Sequence, residues 1–408
     1  MKEAVLASFR STAAEVEARF AVFGASDWQR ILYWLDISGL ALYLLDRLTE
    51  LGLERCLPEP ILNRFQGNLL ENRERTAALF QEAAAISRAM SRHRISFALL
   101  KGITLTPESV PDCALRWQID LDFLVAARDA TAARHVLMNF GYGMHAVCGN
   151  TMEFTAGESS APDIRKIYRV HSQRSLELHI LSTTPGRNGE RNDLLARTQL
   201  RKFHGAVIPA LSHADILVQQ SLHLFKHLCG EHTRASWVHE FWRYVQARRD
   251  DTRFWLEVER IAAIEPQAEI AMAAVVLLSK LTFGGAAPDS LERWTADRLP
   301  HKVRLWVETF GIRVLLADSP GNKLYLILRQ ELRDGTSNRP AIRRLVFPSH
   351  LPPPITRGVP GERLVTRLLR YRTETYHLFL RLQFHVIEGL KYAVELSRWQ
   401  RRVTETSR

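Results

Sequence analysis

Two periodicities divide the chain. Over residues 1–94, apolar positions recur every three or four residues, the spacing of helices that bury one face. Ala13–Phe23 is amphipathic in this sense. Ser26-Asp27-Trp28-Gln29 has the form of a capping box, and the apolar pattern after it predicts one helix from Trp28 to Leu48, ending near Gly52. Pro58 and Pro60 punctuate, and Asn68–Arg92 reads as a long polar helix with Leu69, Leu70, Leu79, Ile86 and Met90 at helical spacing. From residue 95 to 181 the period drops to two. Ser96–Leu100 reads as a short apolar strand ending in Lys101-Gly102. In Ile119-Asp120-Leu121-Asp122-Phe123-Leu124-Val125 the apolar Ile119, Leu121 and Phe123 point into a core, and Asp120 and Asp122 stand side by side on the other face. Arg174–Leu181 alternates too, with Leu176, Leu178 and Ile180 on one face and Glu177 and His179 on the other.

Asp129–Phe140 reads as a helix stopped by Gly141-Tyr142-Gly143. Residues 143–156 and 166–181 read as strands around a Gly157–Asp163 loop, and Thr184–Gly189 as a turn cluster. Helical spacing returns after the cap-like Ser212-His213-Ala214-Asp215, in Ala214–Leu228, Trp237–Ala247 and on through 252–311. Glycine and proline become frequent from Asp334 to Arg363, and Glu362–Arg402 is one long or broken helix rich in arginine and aromatics. The expected fold class is α+β: a small mixed sheet flanked by N-terminal and C-terminal helical regions. The expected divisions are a helical region 1–94, an α/β core 95–210, a helical domain 211–333, a Pro/Gly-rich linker 334–362 and a basic helix 363–408.

Composition adds a sign. Lys and Arg number 55 against 44 Asp and Glu, a net charge of +11. That surplus suits an anionic partner such as a nucleotide, a nucleic acid or an anionic membrane surface, or it is simply a basic surface. Cys56, Cys113, Cys148 and Cys229 are scattered, without a CxxC pair, and Met1-Lys2-Glu3 leads into a polar segment, so the expectation is reduced thiols and a cytoplasmic protein. The most apolar window, Ile270–Leu278, falls short of the ~20 residues a bilayer-spanning helix needs.

The chemistry concentrates at 95–181. Adjacent like charges on one strand face repel, and a divalent cation between Asp120 and Asp122 removes the conflict. Mg²⁺ suits the arrangement, because it takes one or two carboxylates and completes its shell with water and phosphate. If the strand carrying Glu177 lies beside the Asp120–Val125 strand, three carboxylates converge. Lys101 and Arg116 are candidates for neutralising phosphate, and Gly102 for admitting it close to the backbone. Glu177 could complete the metal site or take a hydroxyl proton, and His179 could position a ligand or hold Glu177. Each has a plainer alternative: exposed strand acids, a solvated lysine, an arginine in an ion pair, a turn glycine, a hydrogen-bonded histidine. His223 and His227 sit one helical turn apart, but no HExxH accompanies them and their neighbours are apolar, so zinc is not the expectation.

Leu99-Leu100-Lys101-Gly102, Arg116, Asp120-Leu121-Asp122-Phe123-Leu124-Val125 and Glu177-Leu178-His179 together resemble a bacterial family within the DNA polymerase β-like nucleotidyltransferase superfamily, whose typical form is LLKG…R…GDIDLLV…(D/E)LH. The close match covers residues 95–181. Two positions depart from the pattern: Ile119 stands where glycine is usual, narrowing the approach to Asp120, and no serine follows Gly102. In His227-x4-His232-x-Arg234-x2-Trp237-x2-Glu240, Glu240 stands where that family's helical domain usually has aspartate. The resemblance implies Mg²⁺-dependent transfer of a nucleoside monophosphate from an NTP to a hydroxyl acceptor. Asp120, Asp122 and Glu177 would hold two Mg²⁺ ions, and Lys101, Gly102, Arg116 and His179 would bind the nucleotide. The acceptor could be a small molecule, a sugar, a peptide, a protein or an RNA end. The alternative is a non-catalytic binding or scaffold protein on the same sheet, membrane-peripheral through the arginine-rich tail, which suits a weak contact with an anionic membrane or nucleic acid.

Overall fold

The computed structural model describes residues 1–157, 167–169, 173–181, 193–265, 267–332, 346 and 364–406. Among them run seven strands: β1 (Phe97–Leu100), β2 (Asp120–Val125), β3 (Gly143–Cys148), β4 (Thr151–Ala156), β5 (Arg174–Ile180), β6 (Gln199–Phe203) and β7 (Ala206–Ala210). They form one sheet in the order β3-β4-β5-β2-β1-β7-β6. The β2–β5 and β1–β7 pairs are parallel and the others antiparallel, so the sheet is mixed and the α+β expectation holds.

The alternation seen in the sequence decides which face is covered. Leu121, Phe123, Val125, Leu176 and Leu178 are buried together with Phe154, against Phe80, Ala83, Ile86 and Met90 of the helix Glu59–Arg92 and Ala133 and Leu137 of the helix Ala130–Asn139. Each such side chain contributes about 1.5–3 kcal/mol by leaving water. A slip of one residue would exchange these for Asp120, Asp122 and Glu177, so the hydrophobic set fixes the register. In that register Asp122 lies directly across from Glu177. Ile119 departs from expectation: β2 begins at Asp120, and Ile119, outside the pairing, is exposed instead of joining the core.

Several predicted boundaries move, each for a local reason. The stretch from Trp28 to Leu48 is two helices, Ala25–Ser38 and Ala41–Glu50, because Gly39 adopts φ +74° and ends the first. The cap is made by Gly24 and Asp27 rather than by Ser26 and Gln29: the Gly24 amide donates to Asp27 Oδ2 at 3.0 Å. Pro58 and Pro60 open the long helix at Glu59, where a missing amide hydrogen does no harm. Residues 143–156 are a hairpin turning at Gly149-Asn150, not one strand. The β6–β7 hairpin was not anticipated; it turns at His204-Gly205, both at positive φ, as the twist of a two-residue turn demands. The loop after Gly157, the Thr184–Gly189 cluster and the Pro/Gly-rich 334–362 lie outside the described residues, apart from Val346.

Two compact units result: Met1–Phe225 with Arg234–Leu299, and Lys226–Thr233 with Pro300–Arg408. The first contains the sheet and the helices Ala235–Ala247, Thr252–Ile264, Ala268–Phe283 and Asp289–Arg298. The apolar Ile270–Leu278 window lies within Ala268–Phe283, mostly buried. In the second unit the helix Leu364–Thr406 buries Phe384, Tyr392 and Trp399 and donates from Trp399 Nε1 to Glu331 Oε1 at 2.8 Å. Its other side exposes Leu364, Leu368, Phe379, Leu382, Val386 and Leu390. No helix among the described residues is long and apolar enough to cross a membrane.

Gly39 gives this account a direct test. A Cβ there would meet the Ser236 side chain, with Ser236 Cβ at 3.0 Å, in a left-handed conformation that L-residues adopt at a penalty. Gly39→Ala is expected to lower stability by about 2 kcal/mol in urea titration; an unchanged midpoint would show that the break between the two helices is not built on this glycine.

Candidate active site

The site is assembled by three strands and one strained turn. β2 supplies Asp120 and Asp122, β5 supplies Glu177 and His179, and Lys101 follows β1. The Lys101 backbone takes φ +48° and ψ −138°, sparsely populated for a side-chain-bearing residue. Such strain costs of order 1–3 kcal/mol and persists only where neighbours enforce it. Here the Lys101 carbonyl accepts from Thr104 N at 2.8 Å and Thr104 Oγ1 at 2.6 Å. The side chain turns back across the sheet, and its Nζ donates to Asp122 Oδ1 at 2.6 Å and Glu177 Oε2 at 3.0 Å. His179 Nε2 closes the group, 3.0 Å from Asp122 Oδ1 and 3.1 Å from Glu177 Oε2, while Thr151 Oγ1 of β4 steadies Nδ1 at 3.0 Å. The ammonium thus stands where opposed carboxylates call for a cation.

Charge follows the geometry. Burial pulls Lys101 and His179 down, but the carboxylates of Asp122 and Glu177 outweigh it and leave both raised. Glu177 is held well below the usual carboxylate range, chiefly by the His179 hydrogen bond and then by Lys101. Asp120 goes the other way, raised to about 6 by burial and by the neighbouring Asp122 charge. Lys101 reaches Asp120 only as a more distant charge. One donor atom from each of Asp122, Glu177 and His179 lies within 4.8 Å of the other two, and oxygen donors with one imidazole fit a divalent cation.

Other expected residues sit differently. Arg116 Nε donates to Glu240 Oε2 at 3.1 Å and its Nη1 to Gln118 Oε1 at 3.1 Å, while Tyr43 Oη donates to Glu240 Oε1 at 3.0 Å. Glu240 is fully buried, so Arg116 is its counter-ion. At Gly102 the Gln118 side chain fills the space a Cβ would need. That is an internal reason for glycine at this turn, separate from any phosphate. Asn72 was read as part of a helix without chemistry. It is buried, and its Nδ2 donates to the carbonyls of Ala114 at 2.5 Å and Arg116 at 3.0 Å, fixing the approach to β2. Thr151, and Glu153 across from Glu177, were missed as well; no motif marked them, and only strand pairing brings them in.

Residues 24–284 match the family described as "Uncharacterised nucleotidyltransferase". The chain belongs to that family. No curated relative matches this nucleotidyltransferase-family sequence. Among solved structures it is similar to the antibiotic-resistance factor ANT(2'')-Ia, at 9% identity and TM-score 0.32 over 46% of this chain and 91% of that one. It is also similar to an antigenic nucleotidyltransferase-like protein from Paracoccidioides brasiliensis, at 10% identity and TM-score 0.29 over 49% of this chain and 91% of that one.

The raised Asp120 makes a pH-dependent prediction for this nucleotidyltransferase in chelator. Between about pH 4 and 6 the folded chain keeps a proton that the unfolded chain has released, so stability falls as pH rises through that window. Asp120→Asn removes the penalty. Its melting temperature should exceed wild type at pH 7.5 by the equivalent of about 1–3 kcal/mol, and the gap should close near pH 4; an equal gap at both pH values would contradict the assignment.

Proposed function

We propose that this chain transfers a nucleoside monophosphate from an NTP to a hydroxyl acceptor with two Mg²⁺ ions. The supporting observation is the in-register pair Asp122–Glu177, bridged by the Lys101 ammonium with His179 against both acids. Asp122, Glu177 and His179 form the group that would hold a metal ion, and Asp120, two residues before Asp122 on the same strand and outside that group, is the further carboxylate assigned to the ions. When bound there, Mg²⁺ neutralises charge on the α-phosphate and on the departing pyrophosphate.

The acceptor oxygen forms a bond to the α-phosphorus, and the bond to the bridging oxygen of the β-phosphate breaks. Asp120 and Asp122, on the same face of β2, are the strand residues that would hold the ions on the α-phosphate side of the site. Glu177, so far below the usual carboxylate range, is a weak base. Its role is to hold and orient; the acceptor proton leaves to solvent or to the substrate. Lys101, released from Asp122 and Glu177 as the substrate enters, carries its charge to the phosphate chain. Gly102 lets the backbone of the same turn approach that chain, and Arg116 holds Gln118 against the turn.

The Lys101 ion pairs also support a second reading, a non-catalytic binding protein in which the lysine satisfies the acids permanently. One experiment separates the two. Mg²⁺ with an NTP should raise the melting temperature of wild type, since a ligand that binds only the folded chain must stabilise it. The protein should also consume labelled NTP in the presence of a lysate fraction supplying the acceptor. Asp122→Asn should lower that consumption at least ~100-fold with the fold intact. Thermal stabilisation without consumption in any fraction would favour the binding protein, and neither effect would remove the transferase reading.

A further inference from the structure

Both cations expected to grip phosphate already hold carboxylates: Lys101 has Asp122 and Glu177, and Arg116 has Glu240. Arg234 does not. It immediately precedes the helix Ala235–Ala247, and its guanidinium lies over the Trp117 ring at 4.1 Å and the Trp237 ring at 5.0 Å. No carboxylate among the described residues forms an ion pair with it. Trp117 Nε1 beneath it is buried and has no hydrogen-bond acceptor. Arg75, on the long helix and likewise buried, donates to the Ile167 carbonyl and pairs with no described carboxylate. Arg75, Arg116 and Arg234 share the charge of Asp120, and Arg116 and Arg234 that of Glu240, so three guanidiniums face two carboxylates. Burial without a full complement of anions lowers Arg75 and Arg234 to about 10.

We infer that Arg234, mounted on Trp237 and on Trp117, the latter three residues before the start of β2 at Asp120, is a phosphate-binding residue of this site. The aromatic rings take the faces of the guanidinium and leave its in-plane N–H edge for oxygen acceptors. A phosphate meets that edge with two parallel hydrogen bonds, supplies the missing negative charge and offers an acceptor to Trp117 Nε1. Assigning the phosphate to a nucleotide rests on the transferase reading; the phosphate site itself does not.

The test is a titration of the full chain with inorganic pyrophosphate, without metal, followed by tryptophan fluorescence, since Trp117 and Trp237 flank the site. Wild type should show a saturable change. Arg234→Gln should weaken binding at least about tenfold, and Arg234→Lys, which keeps the charge without the fork, should weaken it too and carries the test if the glutamine variant does not fold. Arg128→Gln, on an exposed side chain, should leave affinity unchanged. Wild-type affinity in a folded Arg234→Lys or Arg234→Gln, or no binding by wild type, would overturn the inference. Competition by ATP identifies the nucleotide's chain as the natural occupant; competition by glucose 1-phosphate but not ATP identifies a phosphorylated acceptor. A chain that binds pyrophosphate through Arg234 and consumes no NTP keeps this site and loses the transferase reading. The opposite result keeps the transferase and loses the site.

Discussion

Two carboxylates facing each other on adjacent strands need a positive charge between them, and that requirement shapes this protein. Asp122 and Glu177 are opposed because β2 and β5 run parallel in a register set by Leu121, Phe123, Leu176 and Leu178. The core cannot relax the conflict by sliding, because any slip by one residue would turn the acids onto the apolar face of the sheet. The compensation comes from a lysine on a strained turn and a histidine two residues along β5. A strained backbone and a closely held ammonium are hard to explain as contributions to stability. An apolar pair in place of a partly buried charge cluster would serve stability as well or better. They make sense if the cation is exchangeable.

That view changes how the basic residues are apportioned. Arg116 serves Glu240 and, through Gln118, the turn at Gly102, so it is a positioning group before it is a phosphate ligand. The cations short of partners, Arg75 and Arg234, come from helical segments on either side of the sheet sequence. The helices that looked like mere support therefore hold part of the electrostatic frame around Asp120.

Much of this was legible in the sequence, for physical reasons. Period-two alternation located β2 and β5 and told which side chains face away from the core, so the meeting of Asp122 and Glu177 on one face could be anticipated; Asp120 lies outside the group that these two form with His179. Register, however, is a property of pairing, and nothing in the sequence said that Glu177 would meet Asp122 rather than Asp120. The fate of Lys101 was hidden because a left-handed non-glycine turn has no sequence signature. Gly39 was read through because a glycine inside an apolar helical pattern is often tolerated, and the β6–β7 hairpin was missed because its strands are short and mixed in polarity. Asn72 and Arg75 lay in a helix dismissed as polar; being buried and polar was their signal, and burial is not visible in one sequence.

The central claim is that the place between Asp122 and Glu177 exchanges its ammonium for a divalent ion when nucleotide arrives. Electron paramagnetic resonance of Mn²⁺, titrated into the protein with and without a non-hydrolysable NTP, measures this directly. The account predicts protein-bound Mn²⁺ that depends on the nucleotide in wild type, is abolished by Glu177→Gln, and in Lys101→Met, where the competing charge is gone, forms without the nucleotide. Mn²⁺ binding that ignores both substitutions, or none at all with the nucleotide shown to be bound, would contradict it.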